Sequence, residues 1–234
     1  MDTDRKLQAL ADLEDAWEGC TACGLCAPVG RSRRRVVFGS GNPDAQLLII
    51  GEAPGEDDER MGDPFRPTEA QGELLDRFLA SFETTRDDVY LAQVVGCWPT
   101  EPDDLRRARS PSKAEVAACR PRIGQIIEIV DPLVILLLGE VPMKALTQER
   151  GTLSHTAKDG DFPFVKVYTK GQCLTVERQA IVTFPLNILA RKGLDMSVGS
   201  ETYFIYKAFE KAFTAIATYN HLYFGTPMPE MENR

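Results

Sequence analysis

The sequence predicts an α/β protein, a three-layer sandwich whose central, mostly parallel sheet has four strands and carries helices on both faces. Two observations predict it. Four short apolar runs, 46–50, 89–95, 133–138 and 180–184, each lead straight into a glycine or proline. Between them lie segments with apolar residues at helical spacing, so strand and helix alternate along the chain. A length of 234 residues suits a single domain, taken as 1–234.

Each element has its own signal. Leu7, Leu10, Leu13 and Trp17 give residues 4–18 a helical face. Cys20 to Arg35, rich in Cys, Gly and Arg, reads as a loop. The strand Gln46–Ile50 ends at Gly51, which opens the tight turn Gly51-Glu52-Ala53-Pro54-Gly55; an acidic loop follows from Glu56 to Asp63. Leu74, Leu75, Phe78 and Leu79 mark a helix over 72–82, Val89–Val95 the next strand, and Pro99–Pro111 a long polar loop. Ser112 with Glu115 forms a capping-box pattern that opens a helix to about Val130. Leu133–Leu138 is a third strand, and Val141–Leu146 begins a helix. Residues 150–164 read as an irregular insertion, 165–168 with 173–176 as a small hairpin, and 180–184 as the fourth strand. An amphipathic helix over 200–217 and a loose tail from Gly225 close the chain. Ligand sites in such folds sit at the carboxyl ends of the strands, which singles out 51–58, 93–99, 139–141 and 184–191.

The charge balance of 27 basic against 35 acidic residues, net −8, argues against a protein that coats DNA without specificity. Two local basic clusters remain: Arg31, Arg33, Arg34 and Arg35, then Arg106, Arg107, Arg109, Lys113, Arg120 and Arg122. Either alone reads as solvated surface; together, each beside a cysteine, they make a shared phosphate-binding face the expectation. The first 18 residues lack the apolar core of a secretory signal, and the run 133–138 is too short to span a bilayer. A soluble, cytoplasmic chain is expected.

Six cysteines in such a chain point to metal or redox chemistry rather than disulfides. Cys20 and Cys23 form a CxxC pair, Cys97 follows a strand, and Cys119 lies within a helix. Four thiolates from three segments hold either tetrahedral zinc or an iron–sulfur cluster, and spacing alone leaves both open. Cys26 extends the pair to CxxCxxC, so Cys23 or Cys26 is the spare; Cys173 reads as structural. Taken singly, Cys97 and Cys119 would be small buried hydrophobes.

The motifs Cys20-Thr-Ala-Cys23, Arg35-Val-Val-Phe-Gly-Ser-Gly41, Gly51-Glu-Ala-Pro-Gly-Glu-Asp57, Gly62-Asp-Pro-Phe65, Gly72-Glu-Leu-Leu-Asp76 and Val89 to Cys97 occur in this order, followed by Pro111–Cys119 and Leu133–Gly139. Together they resemble the family 4 uracil-DNA glycosylases over roughly residues 20–191. The resemblance implies a uracil-DNA glycosylase fold and a [4Fe–4S] cluster on Cys20, Cys23, Cys97 and Cys119 that is structural, with Cys26 at a position the family does not use. It implies an enzyme acting on DNA, which flips a nucleotide into a pocket and hydrolyses its glycosidic bond; a monomer is expected. Phe65 matches the aromatic stacked on the flipped base, Glu52 a residue that organises the pocket, and Asp58, with Asp57 as its rival, an acidic position that places the water. Ala53 falls where related families carry a water-activating Asp.

The sequence departs from the pattern in three places. Gln93 stands where the family has the Asn that reads the uracil edge, one methylene longer. The late His-Pro-Ser motif is replaced by Phe184-Pro-Leu-Asn187, leaving Asn187 as the nearest amide able to stand in for the His. Loss of such a donor costs about two to three powers of ten in rate. The segments 66–71 and 97–111 are longer than usual and border the pocket or the DNA face. The leading expectation is therefore a glycosylase for a modified or damaged pyrimidine, such as a bulky modified cytosine of bacteriophage DNA in a defence role. Ordinary uracil excision in base excision repair and an inactive DNA-binding module are the alternatives.

Overall fold

The computed structural model describes residues 1–26, 35–147, 151–159, 161–169 and 172–226. The arginines at 31, 33 and 34, the side chain of Cys173 and the tail from 227 onward lie outside what is described. The elements are α1 (Thr3–Trp17), β1 (Gly39–Gly41), β2 (Leu47–Gly51), α2 (Glu56–Met61), α3 (Ala70–Ala80), β3 (Tyr90–Gln93), α4 (Lys113–Val130), β4 (Val134–Leu138), α5 (Glu140–Leu146), α6 (Leu153–Asp159), β5 (Asp161–Thr169), β6 (Gln172–Thr183), α7 (Asn187–Lys192) and α8 (Glu201–Phe224).

The sheet has six strands in the order β1-β3-β2-β4-β6-β5. Its centre is the expected parallel quartet, β3, β2, β4 and β6. Two antiparallel edge strands, β1 and β5, extend it. β1 is Gly-Ser-Gly, with no apolar residue to announce it; it exists because β3 offers a free edge. The expected hairpin arm and fourth strand are one continuous strand, β6. The polar run Glu177-Arg178-Gln179 does not end it, because β5 pairs along 172–181 before β4 takes over at 179–183.

Three further segments differ from expectation. The acidic stretch after Gly55 is the helix α2, whose first turn carries Glu56, Asp57, Asp58 and Glu59 at the favourable end of the helix dipole and which stops at a left-handed Gly62. The insertion before the hairpin contains α6. α8 continues to Phe224 and ends at Gly225, again left-handed.

The central strands are buried on both faces, as parallel strands covered by helices must be. Leu48, Ile50, Ile135 and Leu137 face Ile123, Ile126 and Val130 of α4, together with Leu13 of α1. Leu47, Ile49, Val134 and Leu136 face Leu75 and Leu79 of α3 and Ile205 and Phe209 of α8. Phe78 stacks on Phe209 at 5.4 Å on that second face. Among the described residues no helix is long and apolar enough to cross a membrane.

Candidate active site

At the carboxyl ends of β2, β3, β4 and β6 the chain encloses a cavity of about 530 Å³. The turn 51–55 forms its floor, and Phe65, Gln93 and Asn187 line it from three other segments. Five of the expected pocket residues, Glu52, Ala53, Phe65, Gln93 and Asn187, therefore share one hollow.

Phe65 is buried and held at a positive φ of 54°, a conformation that costs a bulky residue about 1–3 kcal/mol and clusters at functional sites. Arg86 keeps it there, donating to the Phe65 and Gly72 carbonyls while paired to Asp76. The ring lies directly on Gly51: a Cβ at that position would stand 2.5 Å from Phe65 Cζ. Glycine at the end of β2 is what lets the ring occupy the cavity wall.

Gln93 closes β3 and is buried. Its Nε2 donates to Asp58 Oδ2 at 3.1 Å, and its Oε1 has no hydrogen-bond partner among the described residues. Asp58, itself buried on α2, also accepts from the backbone N–H of Arg66 at 2.8 Å and of Gly55 at 3.3 Å. Asp58 thus sits behind the cavity wall, with its carboxylate engaged by three donors, and it does not line the hollow. Asp57, its rival, is turned outward to Arg60 and Thr68.

Two carboxyls do reach the cavity with altered acidity. Burial pushes Glu52 above the usual carboxylate range, with a hydrogen bond to Ser110 acting the other way. Burial likewise raises Glu69, assisted by the charge of Asp58; its carboxylate rests on Gly55 and accepts from the Asp57 N–H at 3.1 Å. Asn187 is the first residue of α7, and Arg191 of the same helix also lines the cavity.

The two long loops supply the lips. Glu69 and Gln71 come from one, Ala108, Arg109 and Ser110 from the other. The second loop is fixed by a bridge between Thr100 and Ala108 and by Arg109, which grips Glu115 through two nitrogens at 2.8 and 2.6 Å. Glu115 in turn caps α4 through the Ser112 N–H. His155 and His221, the only histidines, are exposed and away from the cavity lining.

Cys20, Cys26, Cys97 and Cys119 come together in the core on the α4 face of the sheet. Cys20 and Cys23 are half-buried and Cys119 is buried, and the Cys23 thiol feels both Cys119 and Cys20. The expected fourth ligand, Cys97, is bonded to Cys26 as a disulfide. Among the described residues no group of three or more His, Cys, Asp or Glu stands in a metal-holding arrangement. The quartet as expected from sequence is thus not assembled: Cys26, three residues beyond Cys23, captures Cys97. The donor chemistry nevertheless suits a thiolate-bound cluster, with three free thiols in one corner and a fourth and fifth sulfur joined beside them.

A family model described as the uracil DNA glycosylase superfamily matches residues 38–219. The type-4 uracil-DNA glycosylase of Pyrobaculum aerophilum is 35% identical over 78% of this chain and 87% of its own length. The chain belongs to the uracil-DNA glycosylase superfamily, in its type-4 branch. Type-4 enzymes of Sulfurisphaera tokodaii, 30% identical over 74% of this chain and 72% of theirs, and of Thermotoga maritima, 39% identical over 51% and 56%, are similar to it as well. The protein is a DNA glycosylase.

Two features of this glycosylase were not legible beforehand. Trp98, Glu69 and Arg109 line the cavity, and only their place in the long loops could have drawn attention to them. The second basic cluster does not form one surface. Arg122 is fully buried and Arg109 is paired to Glu115, while Arg106, Arg107 and Lys113 are exposed.

Proposed function

We propose that this DNA glycosylase excises uracil from DNA, as a step of base repair, by reading the base edge with a Gln93 amide whose two ends cannot exchange. The single observation that carries this reading is the Asp58–Gln93 hydrogen bond, which commits Nε2 to one side and leaves Oε1 as an unpartnered acceptor in the cavity wall. Uracil presents an acceptor, O4, beside a donor, N3–H. Cytosine presents the inverse pair, a donor amine beside the acceptor N3. A fixed amide accepts from N3–H with Oε1 and offers its second Nε2 hydrogen to O4; cytosine would leave buried polar groups unpaired.

In this reading the flipped base stacks on Phe65 over Gly51 and passes Ala53 on the cavity floor. The C1′–N1 bond breaks with its electron pair going to the base, and Asn187 donates a hydrogen bond to the developing anion. Water adds to C1′, and Glu52, raised by burial toward the working range of a general base, accepts its proton. Asp58 acts through Gln93 rather than on the water. A [4Fe–4S] cluster would be held by Cys20, Cys23, Cys119 and Cys97, the last once a dithiol reductant, itself oxidised to a disulfide, has cleaved its bond to Cys26. Such a cluster supplies a structural cross-link between the N-terminal segment, β3 and α4.

The long lips favour a second reading, in which a bulkier modified pyrimidine is accepted. Duplexes carrying uracil, hydroxymethylcytosine, its glucosylated form or unmodified cytosine separate the two. Alkali-labile product from uracil alone supports the first reading, product from the modified cytosines supports the second, and none from any of them refutes glycosylase action on these bases. Iron and sulfide lost in Cys97→Ser but kept in Cys26→Ser supports the cysteine assignment; the reverse would overturn it.

A further inference from the structure

The sequence counts Arg122 with a surface basic cluster, yet its side chain is fully buried and, among the described residues, is paired with no carboxylate. Nη1 donates to the carbonyls of Val37 at 3.3 Å and Phe38 at 2.9 Å. Nη2 donates to the carbonyls of Gln93 and Val94, the latter at 3.3 Å. The guanidinium lies 5.6 Å from the centre of the Phe38 ring, and Nε has no hydrogen-bond partner among the described residues. Burial opposes its charge. The room it occupies is kept open by Gly96, where a Cβ would meet Arg122 Nε at 3.0 Å and Val36 at 2.9 Å.

A lone interior cation is costly unless an anion faces it. The cysteine corner lies close by: Cys119, a free and buried thiol, stands one turn earlier on α4, and Cys97 is the residue after Gly96. Nη2 grips the backbone of Gln93, whose side chain faces the base cavity. Arg122 therefore stands between the residues flanking the cysteine corner and the strand that carries Gln93.

We propose that Arg122 is a positioning residue that joins the cysteine corner to the base-reading strand, supplying the counter-charge for a thiolate-bound cluster and fixing the Gln93 carbonyl that sets where the reading amide stands. This rests on the cluster and uracil readings above. Carbonyls without a charged donor would let residues 93–94 shift, and sub-ångström shifts at a positioned amide matter for rate. Positive charge beside a cluster raises its reduction potential.

The experiment uses the purified full chain with its metal. Arg122→Lys keeps the charge and loses the fan of donors; Arg122→Met removes both; Gly96→Ala displaces the guanidinium without removing its charge. We expect Arg122→Met to lower the cluster's reduction potential and uracil kcat/KM about tenfold or more, since buried acceptors lose a charged donor. Arg122→Lys and Gly96→Ala should hold the potential near wild type yet lose uracil kcat/KM. If Arg122→Met does not fold, these two carry the test. Folded variants whose kcat/KM stays within about twofold of wild type, or an Arg122→Met protein whose reduction potential is unchanged, would overturn the proposal. A wild-type protein without iron would overturn its counter-charge arm and the cluster reading together, and one with iron but no uracil release would overturn the substrate reading instead.

Discussion

Replacing Asp58 with asparagine changes one atom in a place where all the surrounding groups are donors. Oδ1 receives the Arg66 N–H, and Oδ2 receives the Gly55 N–H and Gln93 Nε2. An amide must put its NH2 against one of these sets. The arrangement that relieves the clash with the fewest broken bonds keeps the amide oxygen on Arg66 and turns Gln93 over. Its Oε1 then accepts from the introduced NH2 group, and its Nε2 faces the cavity. The Gly55 N–H is left without its acceptor. An unmatched buried donor costs about 1–3 kcal/mol, so uracil kcat/KM should fall roughly 10- to 100-fold. A turned amide offers donors where it offered an acceptor, so the ratio of uracil to cytosine excision should fall with it. Single-turnover release on matched duplexes, read with thermal unfolding of the same preparation, measures both. Unchanged uracil release, or a loss explained by unfolding with the base ratio intact, would refute the claim that Asp58 works by orienting Gln93.

Other substitutions test the remaining parts. Phe65→Ala removes a stacking face worth about 1–3 kcal/mol per base, so uracil kcat/KM should drop by roughly tenfold or more in single-turnover assays. Gly51→Ala should mimic it, because its methyl group would occupy the space of the Phe65 ring. Glu52 has its folded-state acidity weakened by burial, so its contribution to stability is fully present below about pH 4.5 and is lost as pH rises through its higher folded value. Melting temperatures of wild type and Glu52→Gln across that window should therefore converge on the acid side and diverge, with the variant the more stable, above it. Arg109→Ala should free the lip at 99–111 from α4, and limited proteolysis should cut there first.

Periodicity alone was enough for the central layer. Leu47–Ile50 and Val134–Leu138 are continuous apolar runs because parallel strands are covered on both faces, and that requirement is written into neighbouring residues. The turn at 51–55 and the capping box at Ser112–Glu115 were legible for the same reason: each is a short-range pattern with a local physical cause. What involves partners distant in the chain was not. β1 exists only because β3 leaves an edge open, and β6 runs unbroken only because β5 supports its polar stretch.

The sequence by itself determined the class of fold, the strand ends at which chemistry sits and the residue types that gather there. Tertiary structure decided which way each polar group points: Asp58 inward to hold Gln93, Arg122 into the core rather than toward DNA, and Cys97 toward Cys26. The physical reason is that hydrophobic patterning records whether a position is buried, whereas a hydrogen bond or a thiol pair depends on the direction of two side chains that here lie 35 and 71 residues apart. No local spacing encodes that direction.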